Sequence, residues 1–98
     1  MSNDDAAMLS AVKDTLDGLA FKYSNSDFDT QQQLGPKIQD LNNQYNALRT
    51  KLVSDANVMT AADLTQMTAI RDAIDHAADT QALILGIARA AFFIGTKL

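Results

Sequence analysis

The one concentration of chemically capable side chains in this sequence is the segment RDAIDHAAD, residues 71–79. Carried on a single helix, Asp72, His76 and Asp79 recur at steps of four and three and share a face. Two carboxylates and an imidazole on one face can converge on a hard or borderline divalent cation. The competing reading is a solvated surface on which Arg71 pairs with Asp75 and Asp72 with His76 at the i,i+4 spacing. The solvated surface is favoured, because the chain has no second histidine and no glutamate to complete a firm metal site.

Other routes to catalysis are poorly supplied. There is no cysteine, His76 is the only histidine, and no G-x-S-x-G nucleophile turn occurs. Four glycines are too few and too scattered for a phosphate-binding loop or a dinucleotide fingerprint. Tyr23, Phe28 and Tyr45 fall at stripe or loop positions and read as core rather than as a stacking platform. Met59 and Met67 read as gap-fillers in that core. The expectation is a non-enzymatic protein with no cofactor.

Composition narrows the partners. Twelve acids, all aspartate, oppose eight bases, for a net charge of −4. The bases Lys13, Lys22, Lys37, Arg49, Lys51, Arg71, Arg89 and Lys97 are spread along the chain instead of gathered into a patch. A polyanion would be repelled by such a field, which disfavours nucleic acid. The start, MSNDDAAML, places two aspartates where a secretory signal carries positive charge. The expected location is therefore the cytoplasm, or outside by export without a cleaved signal peptide.

Elements that would position these residues follow from apolar periodicity. Leu9, Val12, Leu16, Leu19 and Tyr23 step by three and four, predicting a helix over about 4–24 with Ser2 or Asn3 as its cap. Ser26 and Asp29 resemble a capping box for a short helix, 27–34, ended by Gly35, with Phe28 and Leu34 folding onto the core. Pro36 then opens a helix over 37–54 whose seam is Ile38, Leu41, Tyr45, Leu48 and Leu52. Thr60 and Asp63 suggest a second capping box, starting a helix whose period runs from Leu64 through Ala91, so 61–95 reads as one element. At 1.5 Å per residue that helix would be about 50 Å long. A break near Asp79-Thr80 is the alternative, disfavoured because it leaves almost no residues for a reversal. The fold class is all-α: one helical domain, 1–98, built as a small antiparallel bundle of three long helices and one short, the C-terminal helix longest.

The most apolar stretch is the last. From Ala82 to Gly95 eleven of fourteen residues are apolar, and Arg89 is the one charge. It is too short and too interrupted to span a bilayer, and too poor in basic residues to lie on one, so no stable membrane insertion is expected. Apolar side chains pointing in nearly every direction suit a central core helix. If the helix outruns its partners, however, Leu85, Arg89, Phe92, Phe93 and Ile94 would form an interface for a protein partner or a second copy. Protein–protein contact, with self-association through this helix as its simplest form, is the functional expectation. By fold-level analogy alone, small acidic helical chains also serve as subunits or substrates of specialised bacterial secretion systems. The tryptophan–glycine turn of one such class is absent, with Leu34-Gly35-Pro36 in its place.

Overall fold

A computed structural model describes residues 1–55 and 58–98. The described residues form four helices: α1 (Asn3–Ser24), α2 (Phe28–Ser54), α3 (Ala61–Asp75) and α4 (Thr80–Gly95). No strand occurs among the described residues. α1 begins where the sequence places it, with the Ser2 hydroxyl accepting the Asp5 N–H at 3.1 Å. Met8, Ala11, Val12, Leu16 and Leu19 form its buried stripe.

Two helix boundaries differ from the sequence expectation. The separate helices 27–34 and 37–54 are one continuous element of 27 residues, and this, not the C-terminal helix, is the longest. Gly35 and Pro36 pass through the helix without ending it. A residue before proline is normally pushed out of helical geometry partly by a clash with its own Cβ, and glycine has none. Leu34 and Leu41, both fully buried, hold the helix to the core on either side of the missing N–H. The cap is Asp27, whose carboxylate accepts the Thr30 N–H at 2.8 Å. Ser26 does not form the expected box with Asp29; its hydroxyl donates to the Lys22 carbonyl instead. Phe28, expected in the core, is the first residue of the helix and 70% exposed.

The second difference is the break of 61–95 into α3 and α4. His76 caps the end of α3, and the Asp79 carboxylate caps α4 by accepting the Ala82 N–H at 2.8 Å. A helical hairpin needs only a few connecting residues when both ends are capped. The apolar stripe hid this turn, since Ala77 and Ile84 keep helical spacing across it. At the start of α3 the sequence-predicted capping box of Thr60 and Asp63 is formed, with both reciprocal bonds present.

Chain directions follow from contacts between helices. α1 and α2 meet head to tail at one end, where Gln31 donates to the Tyr23 carbonyl and the Tyr23 ring lies against Gly35. Arg71 reaches Asp14, and Asp75 lies beside Gly18, so α3 runs alongside α1 in the same sense. α4 returns along α3, from Gly86 against Ile74 to Lys97 against Asp63. It also lies beside α2, where Gln44 donates to the Ala91 carbonyl. α1 and α4 therefore occupy opposite corners of the four-helix bundle, as do α2 and α3. The molecule measures 41 × 21 × 19 Å, one helix pair wide in each short direction.

α2 ends and α3 begins at diagonal corners of one end of the bundle. Met59 is buried there, and its N–H donates to the Asp5 carboxylate at 2.8 Å. Asp5 is itself inaccessible to water. Burial pushes its carboxyl up, but hydrogen bonds from the backbone at Met59, Ser2 and Val58 outweigh it, and the net direction is down. The fold gathers these residues into one cluster of buried apolar side chains drawn from all four helices and Met59.

Two expectations follow. Asp5→Ala should cost about 1–3 kcal/mol, the usual penalty for leaving a buried N–H unpaired. Because its folded carboxyl lies below the unfolded value, the contribution of Asp5 is present above that value and is lost as pH falls through the folded one. Urea midpoints measured from neutral to strongly acidic pH should therefore fall less steeply for Asp5→Asn than for the wild type. At Gly86 an added Cβ would stand 2.6 Å from Ile74 Cγ1. Gly→Ala in a helix is intrinsically favourable by about 1 kcal/mol, but overpacking here should reverse the sign and lower the melting temperature. In an Ile74→Ala background the same substitution should become stabilising, a sign change that calorimetry can read.

Candidate functional site

α4 divides the apolar tail between two environments. Leu83, Gly86, Ile87, Ala90, Phe93 and Ile94 point between α2 and α3 and are buried. Leu85, Ala88, Arg89 and Phe92 lie on the opposite side and are exposed. Of the five residues proposed from sequence as an interface, Phe93 and Ile94 thus belong to the core. The reason is rotational: Phe92 and Phe93 are adjacent, so a helix sends them about 100° apart. Phe93 keeps 6% of its surface exposed and Phe92 keeps 78%. Leu85, 54% exposed, lies two turns from Phe92 on the same side.

Arg89 lies between these two side chains, and α4 carries no acidic residue. Among the described residues it makes no ion pair. Lys97, just beyond the end of this helix, is engaged inward: its ammonium is 2.7 Å from the Asp63 carboxylate and 5.5 Å from the centre of the Phe93 ring. That ammonium, with the capping bonds from Thr60, holds the Asp63 carboxyl below its ordinary value. The outer face of α4 is therefore an apolar stripe with a single positive charge, on a chain that is otherwise acidic.

The proposed metal trio is distributed over a turn instead of one helix face. Asp72 is in α3, His76 is its cap with Nδ1 2.8 Å from the Asp72 carbonyl, and Asp79 is occupied as the cap of α4. The helical spacing that would bring them together ends at Asp75. No cluster of three potential metal-ligating side chains forms among the described residues. The ion pairs also differ from the i,i+4 expectation: Arg71 pairs with Asp72 at 3.3 Å and with Asp14 of α1 at 3.7 Å, leaving Asp75 against Gly18.

The structure adds one residue that periodicity did not single out. Phe21, on the wet side of α1, is 72% exposed and stands one turn beyond Asp17 and two beyond Asp14. The available signal was an aromatic residue off the apolar stripe of an amphipathic helix. Among the described residues Asp17 pairs with Lys13 alone, in an exposed pair at 3.3 Å. Among the described residues no helix is long and apolar enough to cross a membrane. The chain matches no protein-family model, no curated protein and no solved structure.

The division of α4 has a direct consequence for stability. Phe93→Ala should cost about 3–5 kcal/mol and Ile94→Ala about 2–5. Phe92→Ala should stay within about 0.5 kcal/mol of the wild type. Urea denaturation of the three variants checks this ordering.

Proposed function

We infer that this protein acts through protein–protein contact rather than catalysis, and that α4 supplies the contact by self-association. The observation that carries this reading is the exposed pair Leu85 and Phe92 on one helix face with Arg89 between them. Both side chains belong to the helix that builds the core, so a rigid element presents them. A phenylalanine held in water on a packed helix contributes nothing to the fold, whereas burying it against a partner is favourable. Burial of each of the two side chains is worth about 1.5–3 kcal/mol. Association costs at least about 4 kcal/mol in lost freedom. A stripe of this size therefore supports weak, exchanging association that grows with concentration.

The test uses Leu85→Asp/Phe92→Asp, because Phe93 substitutions would damage the core. Light scattering across concentrations up to about 1 mM, a range suited to weak contacts, should show the mass of the wild type rising. The double variant, with unchanged helical circular dichroism, should remain a monomer. A wild type that stays monomeric throughout defeats the reading.

A further inference from the structure

We propose that the occupant of the α4 face is the outer face of α1 on a second copy of this chain, so that copies add head to tail in an open series. This rests on the self-association reading above and specifies its geometry.

The first argument is charge. A two-fold α4–α4 contact that buries Leu85 and Phe92 brings Arg89, which lies between them, against its own counterpart. α4 has no acidic residue to compensate. Like charges placed opposite one another oppose such pairing. The outer face of α1 offers the complement: Asp14 and Asp17, with Phe21 as an exposed aromatic beside them. Asp17 pairs with exposed Lys13, and Asp14 with half-buried Arg71 at the longer distance of 3.7 Å; surface pairs of this kind contribute little and exchange readily.

The second argument is level. Arg71 pairs with Asp14, and Asp75 lies against Gly18, which sets the height of α3 against α1. Gly86 lies against Ile74, and Lys97 pairs with Asp63, which sets α4 against α3. Followed along the helices, these contacts put Arg89 level with Arg71 and hence with Asp14. Leu85 is level with Asp75 and Gly18, between Asp17 and Phe21. A sideways displacement of one copy past the next, without rotation or rise, therefore brings Arg89 to the Asp14–Asp17 turn and Leu85 to Phe21. Phe92 then meets the Ser10–Lys13 turn, where an ammonium can lie over its ring.

The third argument is topology. α1 and α4 stand at opposite corners of the bundle, so their outer faces point away from each other. A contact joining two different faces is heterologous, and repeating it by displacement alone leaves both ends open.

Sedimentation velocity on the full chain tests this with Arg89→Asp and Asp17→Arg, alone and mixed in equal amounts. The wild type should grow beyond a dimer as concentration rises. Each variant alone should associate at least about tenfold more weakly, because its one reversed charge makes the contact like-charged. The mixture should recover wild-type growth, since each face then meets an opposite charge. This recovery also shows that both variants are folded. Arg89→Asp associating as well as the wild type, assembly that stops at a dimer, or a mixture that fails to recover would each overturn the head-to-tail contact. If Leu85→Asp/Phe92→Asp still abolishes association in those cases, the α4 reading survives and only its occupant is wrong. A wild type that remains monomeric removes both.

Discussion

The close approach of α4 to α3 at Gly86 and Ile74 is the contact on which the rest of the arrangement depends. With no Cβ at residue 86, the two helices of the hairpin come near enough for Ile74 to fill the space beside the α4 backbone. That contact sets how far α4 leans into the groove between α2 and α3. It thereby decides that Leu83, Ile87, Ala90, Phe93 and Ile94 are core. The exposure of Leu85, Arg89 and Phe92 is the other side of the same decision, because a helix cannot turn one face inward without turning its opposite outward.

A second constraint operates at the far end. α1 and α3 are parallel neighbours, so the connection into α3 begins diagonally across from the end of α2. The Asp5 carboxylate receives that connection through the Met59 N–H, while the Met59 side chain fills the end of the core. A buried carboxylate with backbone donors satisfies N–H groups that an apolar residue would leave unpaired. The Lys97–Asp63 pair fastens the end of α4 to the start of α3 at the same level of the molecule. The bundle is thus held at this end by two aspartates that serve backbone and cap rather than chemistry.

The charge distribution makes the outer faces of α1 and α4 unlike. The chain is acidic overall, which keeps copies apart at long range. Over α4 the balance reverses locally, through Arg89 and the absence of acids. A weakly positive apolar stripe on one corner and a face carrying Asp14, Asp17, Lys13 and Phe21 on the opposite corner make two unlike faces. Residues that looked like a metal site are used otherwise: Asp79 caps a helix, and His76 closes the one before it.

Much of the fold was legible in the residues themselves. The all-α class, the starts of α1 and α3, the end of α2 and the seam of Leu41, Leu48 and Leu52 follow from caps and three-four periodicity, which are local properties of the chain. Periodicity could not find the turn at His76–Asp79, because apolar spacing continues in phase across it. Nor could Gly35-Pro36 be read correctly from local rules, since buried Leu34 and Leu41 keep the helix intact there. Asp4 and Asp5 are indistinguishable as neighbours in a first turn, yet only Asp5 is buried to receive Met59. The composition of the tail likewise showed that an unusually apolar helix was present. Which of Phe92 and Phe93 faces water depends on where α4 docks, and docking is a property of the other three helices.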